Sequence, residues 1–339
     1  MPRQLLFHPL LGTVHHRAHA ARPVADPGRR RFVEHRQPLT HFPTLKHVLL
    51  AVNGVGHIQH GDQFRRPRQL ESAQAFENHL DSLASRPSTA ERNTVVVCGG
   101  GFTGIELATE LPARLRARFG DDTQTKIIVV ERGAVIGGRY SEELRRTIEE
   151  ACHELGVEWR LNSEIEAIDA RGVTLKDGER IPAATVVWTA GVEAHPLSQQ
   201  IAGERDGKGR LMVNECLQVP AHPEVYATGD MAHARTDDLG NTALMTCQHA
   251  IQLGKFAGHN AAASLLDVAP YPYRQVNYVT CLDLGGWGAV YSEGWEQKVK
   301  CVRDEAKKIK IAITNELIYP PAADRAAAFA AADPLAKFV

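Results

Sequence analysis

Three glycines, Gly99, Gly101 and Gly104, stand at G-x-G-x-x-G spacing directly after the apolar run at residues 94–97. Ile105, Ala108, Leu111 and Leu115 follow at helical spacing, so the glycines occupy a strand-to-helix turn. That turn suits the binding of a dinucleotide. The first glycine permits the tight turn, and the second lets the backbone approach a pyrophosphate. The third lets the helix pack close to the strand, aiming its N-terminal N–H groups at the anion. A second apolar strand, residues 126–130, ends in Glu131, where such a fold places an acid on the adenosine ribose. The separation is longer than the usual spacing of about 20 residues, as a long crossover would make it. A carboxylate there repels a 2′-phosphate and favours NADH over NADPH, although Arg132 beside it works against that preference.

Two further constellations carry polar groups that could meet a ligand. Residues 225–227 read as a strand ending in Gly229-Asp230, a carboxylate where α/β sheets bind ligands and equally an ordinary turn. The stretch 245–266 reads as a helix with Gln248 and Gln252 four apart on one face. Both amides can point at one polar ligand, or both can simply be solvated.

Composition bounds the rest. A chain of 339 residues is long enough for about two domains, and a net charge of −1 gives no electrostatic case for nucleic acid. Residues 1–68 hold eleven Lys and Arg against three acids, with nine of the sixteen histidines, leaving the remainder acidic. Apart from a strand-like run at 47–52, they show no sustained period. His15, His16 and His19 have no carboxylate or cysteine nearby and read as a solvated arm, so no metal site is expected. The six cysteines form no close pair, which suits a reducing cytosol and excludes thioredoxin-like dithiol chemistry. No apolar run is long enough to span a bilayer, and the N-terminus lacks a signal-peptide core. A cytoplasmic location is therefore expected.

The elements that must position these residues follow in order. Leu70, Ala73, Phe76, Leu80 and Leu83 make a helical face, and residues 85–93 a polar linker. Ser141 caps a helix carrying Leu144, Ile148, Cys152 and Leu155, which Gly156 stops. Short strands are expected at 157–161, 165–168, 173–175 and 185–188, with an exit turn at Thr189-Ala190-Gly191. Near the C-terminus a strand is expected at 287–291. A long helix is expected over 295–317, with Val299, Val302, Ala306, Ile309, Ile313 and Leu317 inward. Lys298, Lys300, Arg303, Lys307, Lys308 and Lys310 then face outward. Such a basic amphipathic helix suits an anionic membrane surface, or its stripe packs on the protein's own core or a dimer partner.

Taken together, these residues resemble the two-dinucleotide flavoproteins of the pyridine nucleotide-disulfide oxidoreductase superfamily, and within it the type II NADH dehydrogenases. The resemblance runs from about Gln69 to the C-terminus. It implies that Gly99, Gly101 and Gly104 bind NADH, that Glu106 lies beside the nicotinamide, and that W-T-A-G-V, with Gly191, closes the NADH domain. Y-A-T-G-D, with Gly229, then brings Asp230 to the FAD ribityl chain. C-Q-H-A-I-Q, around Ala250, stands for the family's A-Q-x-A-x-Q and sets Gln248 and Gln252 near flavin and quinone, with Cys247 in place of alanine.

The expected fold is α/β with two Rossmann-like dinucleotide-binding domains, plus a C-terminal strand-helix region. The first domain is incomplete, because no G-x-G-x-x-G for an FAD pyrophosphate precedes Gln69. The boundaries are 1–68 for the basic N-terminus, 69–92 for a helix and linker of the first FAD segment, and 93–192 for the NADH domain. Residues 193–270 form the second FAD segment, and 271–339 a quinone, membrane or dimer region. The implied activity passes hydride from NADH to FAD and electrons to a quinone, on the inner membrane face, with a homodimer as one use of the last region. The rival readings are a non-catalytic NADH-binding remnant and a sulfide:quinone reductase-like enzyme using Cys247 and Cys281.

Overall fold

The computed structural model describes residues 48–49 and 69–336. The histidines near the N-terminus and most of residues 1–68 lie outside the described residues. The organising layer is a five-stranded parallel sheet of β1 (Val48–Leu49), β2 (Thr94–Cys98), β3 (Lys126–Val130), β4 (Val157–Arg160) and β8 (Thr185–Trp188). Its order is β1-β8-β2-β3-β4. Its central strands read as unbroken apolar runs because both faces are covered. Val95, Val97, Ile127, Val129 and Val187 point to one face. They pack there with α1 (Gln69–Ala84), α2 (Phe102–Phe119) and α3 (Glu142–Glu154). The alternate residues Val96, Cys98, Ile128, Val130 and Val186 meet a three-stranded antiparallel sheet on the other face. That sheet comprises β5 (Ile165–Asp169), β6 (Gly172–Leu175) and β7 (Arg180–Pro182).

The expected caps are present. Ser141 Oγ accepts from Leu144 N at the start of α3, and Gly156 takes a φ of 72° beyond its end. Helix α1 belongs to the same core: Phe76, Leu80 and Leu83 are buried in it, and Glu77 clamps Arg114 and Arg118 of α2.

The segment after β8 folds around smaller sheets. β9 (Leu211–Met212) pairs parallel with β12 (Ala232–His233), and β10 (Gln218–Val219) forms a hairpin with β11 (His222–Tyr226). Helix α4 (Cys247–Leu265) packs Leu253, Phe256 and Ala257 against Leu217, Ala234 and Tyr273. An antiparallel sheet then follows, made of β13 (Val279–Asp283), β14 (Ala289–Glu293) and β15 (Lys298–Val302). Leu282, Leu284, Trp287 and Val290 carry it into the α2–α3 core. Gly285 makes this approach feasible, since a Cβ there would lie 2.1 Å from the carbonyl oxygen of Thr109 in α2.

The C-terminal region corrects two expectations. The strand near 287–291 begins two residues later, after a short turn of 3-10 helix at Gly285–Trp287. The long helix over 295–317 does not exist as such. Residues Lys298–Val302 form β15, helix α5 covers only Arg303–Ala312, and a π turn runs over Ile313–Leu317. The run Lys298-Val299-Lys300-Cys301-Val302 alternates exposed and half-buried with period 2, and that strand signal overrode the helical one. The continuous basic face goes with the helix. Lys310 is buried, while Arg303 and Lys307 are ion-paired to Glu150, Glu154 and Asp283. Helix α6 (Arg325–Ala332) closes the described chain, and no helix among the described residues is long and apolar enough to cross a membrane.

Candidate functional site

Each glycine of the turn has a separate geometric reason. Gly99 has a φ of 111°, and a Cβ on it would meet Ala190 of the exit turn at 2.9 Å. A Cβ on Gly104 would lie 1.9 Å from the carbonyl oxygen of Gly99, so α2 can approach β2 only without one. A Cβ on Gly101 would meet nothing within 4 Å. That open side, at the N-terminus of α2, is where a pyrophosphate fits. Thr189 Oγ1 donates to the Cys98 and Gly99 carbonyls at 3.0 Å, tying the exit turn with Gly191 to the glycine turn.

Glu131 stands at the end of β3. Its Oε2 accepts from Gly100 N at 2.7 Å and its Oε1 from Gly133 N at 2.8 Å. The carboxylate therefore organises the turn. Trp159 of β4 buttresses the same turn, and a Cβ on Gly100 would come within 2.6 Å of its ring.

Glu106, one turn into α2, is buried. Its Oε1 accepts from Asp283 N at 3.0 Å and from Lys310 Nζ at 2.8 Å. Burial pushes its carboxyl above the usual carboxylate range, opposed by the Lys310 ammonium. Burial, the largest influence, lowers Lys310, but the charge and hydrogen bond of Glu106 together with Cys281 and Asp283 outweigh it, so its ammonium is held above the usual lysine range. Lys310 Nζ also donates to the Cys281 carbonyl at 3.0 Å, and Lys307 Nζ to Asp283 Oδ1 at 2.5 Å. The pair stands as an ion pair within a network that locks α5 and β13 onto α2.

On the other side, Gly229 has a φ of 61° and lies against Ala250 of α4, whose Cβ would be 3.8 Å from a Cβ on Gly229. This sets Asp230 beside the N-terminal half of α4. Asp230 is half-buried, and burial raises its carboxyl against the opposing pull of Arg210 and Lys208. The β9–β12 register brings those cations near, and Asp206 pins Arg210 at 2.7 Å. A half-buried acceptor between a glycine turn and a helix N-terminus fits a hydroxyl-bearing ligand chain such as a ribityl group.

Gln248 and Gln252 have different surroundings. The Gln248 amide donates to the Val279 carbonyl at 3.2 Å and accepts from Val279 N at 3.3 Å, mimicking a strand neighbour of β13. Gln252 is buried one turn further along α4. The structure thus gathers Gly99, Gly101, Gly104, Glu131 and Gly191 at one end, and Gly229, Asp230, Ala250, Gln248 and Gln252 at the other. β13 joins the two ends, with Gln248 on Val279 and Glu106 on Asp283. At about 3.4 Å per residue that strand spans roughly 14 Å. Sequence reasoning missed Asp283 and Val279 at the two ends of β13, and set Lys310 of α5 outward where the structure buries it.

The two candidate thiols are unlike. Cys247 is exposed, whereas Cys281 is buried, its thiol pushed up by that burial to about 12. A thiol so held is a poor nucleophile.

A parallel α/β sheet with a glycine turn between β2 and α2 defines a dinucleotide-binding class of fold. The family model for pyridine nucleotide-disulphide oxidoreductases matches residues 43–254, and the chain belongs to that family. A NADH dehydrogenase-like protein from Mycobacterium tuberculosis is 43% identical over 267 residues, covering 78% of this chain and 66% of that protein. Demethylphylloquinone reductase from Synechocystis is 32% identical over 66% of this chain and 54% of its own length. A type II NADH:quinone oxidoreductase from Mycobacterium tuberculosis is 30% identical over 58% of this chain and 45% of its own. The chain therefore spans two thirds or less of the length of these relatives. Among solved structures, reduced Bacillus anthracis CoADR-RHD superposes with a TM-score of 0.53 at 17% identity, over 73% of this chain and 38% of that one. A NAD-dependent persulfide reductase from A. fulgidus does so at 0.51 and 18%, over 72% and 40%. These two bear on the fold alone.

Proposed function

We propose that the chain acts as an FAD-dependent NADH dehydrogenase that passes electrons to a quinone. The observation that carries this reading is the glycine turn at the start of α2 and the Gly229-Asp230 turn beside α4, linked through β13, which support binding of a dinucleotide and of a hydroxyl-bearing chain. On the NADH side, Gly101 leaves room for the pyrophosphate, the N-terminus of α2 faces it, and Glu131 accepts from the ribose hydroxyls. Glu106 fixes the floor beneath the nicotinamide, held in place by Lys310.

On the flavin side, Asp230 accepts from the ribityl chain and Gln252 borders the acceptor, while Gln248 fixes α4 to β13. A flavin, when bound, would supply the hydride-accepting and electron-releasing chemistry; the protein orients the partners and excludes water. The relatives bearing quinone-reductase names support quinone as the acceptor. The buried Cys281 thiol tells against a sulfide:quinone reductase.

The test is steady-state oxidation of NADH by the purified full chain with a water-soluble quinone. Turnover that needs both quinone and added FAD is the expected result. NADH binding without turnover at saturating FAD would mark a non-catalytic remnant instead.

A further inference from the structure

Behind the Gln248–Val279 clamp lies a group of enclosed polar atoms that the proposed reaction has not used. His249, next to Gln248 on α4, is fully buried. Its Nδ1 lies 2.9 Å from Thr246 Oγ1, while its Nε2 is buried and meets no partner among the described residues. The imidazole packs on Tyr278 at 5.7 Å and on Trp295 at 5.9 Å between ring centroids, and those two rings stack at 4.7 Å. Trp295 Nε1 is also buried without a partner among the described residues, and so is Ser292 Oγ.

These atoms belong to one neighbourhood. Gly294 N donates to the Tyr278 carbonyl at 2.8 Å, holding the turn that bears Trp295 against the start of β13. Ser292 pairs with Thr280 across the sheet, and Thr280 shares a face with Tyr278. A buried imidazole nitrogen and a buried indole N–H thus belong to one cluster of packed rings inside the protein. Apolar enclosures stay dry, but buried polar atoms find a partner in most proteins, and an internal water typically makes about 3 hydrogen bonds to such groups.

We propose that His249 and Trp295 enclose an internal water site behind Gln248, and that this water relays a solvent proton to the acceptor as it is reduced, regaining from solvent each proton it passes on. The proton role rests on the NADH:quinone reading; the water site does not. The balance requires such a source. NADH gives up a hydride, which is two electrons and one proton, and becomes NAD+. The quinone takes two electrons and two protons to become a quinol, so one further proton comes from solvent. Trp295 Nε1–H donates to the water, and the water donates to His249 Nε2 when the ring carries its proton on Nδ1 against Thr246. His249 thereby holds the water and does not itself touch the acceptor, so it is a positioning residue.

Two measurements decide it. A high-resolution crystal structure of the full chain is expected to show an ordered water within hydrogen-bond distance of both His249 Nε2 and Trp295 Nε1. A direct contact between the two rings, or a dry enclosure, overturns the site. The second measurement compares quinone with ferricyanide, which takes electrons without a proton. In His249→Phe, which keeps a ring in the stack, the ratio of quinone to ferricyanide turnover is expected to fall about tenfold or more. His249→Gln, which keeps a polar atom, should recover part of the ratio. A proportional loss of both rates, or an unchanged ratio, makes His249 a packing residue and overturns the proton role. An unmodified protein that reduces ferricyanide but no quinone refutes the functional reading instead, and the crystallographic result then still decides the water site.

Discussion

On the NADH side, the glycine turn, Glu131, Trp159 and the exit turn at Gly191 all come from within 93–192 and stand on a sheet covered on both faces. On the acceptor side, Asp230 rests between two short sheets. Gln248 is fixed by Val279, and His249 by Tyr278 and Trp295. Even Glu106, which belongs to the NADH domain by sequence, is held by Lys310, 204 positions away. The glycine turn and its immediate partners are local in sequence, although α1 and the C-terminal sheet share their core, while the surroundings of Asp230 and Gln248 are assembled from distant segments. Substitutions in the C-terminal sheet should therefore disturb the acceptor end while leaving the glycine turn in place.

The largest expected effect comes from breaking the longest-range contact. Lys310→Met leaves Glu106 buried without its counter-charge, and such a loss costs about 3–5 kcal/mol of stability. The double variant with Glu106→Leu should recover most of it, since two apolar groups replace the ion pair. Urea unfolding of both variants checks this. A single variant as stable as the parent would mean that Lys310 is not needed to hold the C-terminal sheet.

The second effect is a pH dependence. Burial lowers His249 from 6.5 to about 4, so the folded protein keeps the ring neutral while the unfolded chain protonates it. Its contribution is present above pH 6.5 and is lost as pH falls through about 4, amounting to about 3 kcal/mol. His249→Phe should remove that part of the slope when urea midpoints are compared across the window. An identical slope in both proteins would show that His249 is not buried as described.

The glycine turn offers a sharper contrast between fold and binding. Gly104→Ala drives a methyl into the Gly99 carbonyl and should destabilise the domain by about 1–3 kcal/mol. Gly101→Ala meets no protein atom and its φ of −79° suits alanine, so stability should hold. Its methyl occupies the place of the pyrophosphate, and loss of a charged hydrogen bond corresponds to about tenfold to a hundredfold in NADH affinity. Thermal unfolding and NADH titration separate the two. Equal losses in both properties for both variants would contradict the roles given to these glycines.

How much of this was legible follows the same division. The turn could be read because G-x-G-x-x-G, the apolar strands and the Ser141 cap act over a few residues. Both faces of the sheet being apolar made the strands plain, although not that a meander covers one of them. The C-terminal region defeated the reading for a physical reason. Val299, Val302, Ala306, Ile309 and Ile313 fit a helical stripe, yet Val299 and Val302 lie on β15 and only the later residues turn on α5 or beyond it. Lys310, placed among the solvated lysines by its charge, is buried because Glu106 meets it there. No local pattern announces a partner so far along the chain.

The smallest effect tests nucleotide choice. Glu131→Ser removes the carboxylate proposed to meet the ribose and also two acceptors for Gly100 N and Gly133 N. The ratio of kcat/KM for NADH over NADPH should narrow about tenfold, roughly 1.4 kcal/mol. Equal use of both nucleotides by the unmodified protein would remove Glu131 from that role.

The claim that joins the two ends is that electrons pass from NADH to a flavin held beside Asp230. Anaerobic titration of the full chain, reconstituted with FAD and freed of excess, tests this most directly. The account predicts a flavin absorbance band that bleaches in proportion to added NADH. A protein that binds NADH, seen by quenching of its tryptophan fluorescence, yet retains no flavin or holds flavin that stays oxidised, would contradict it.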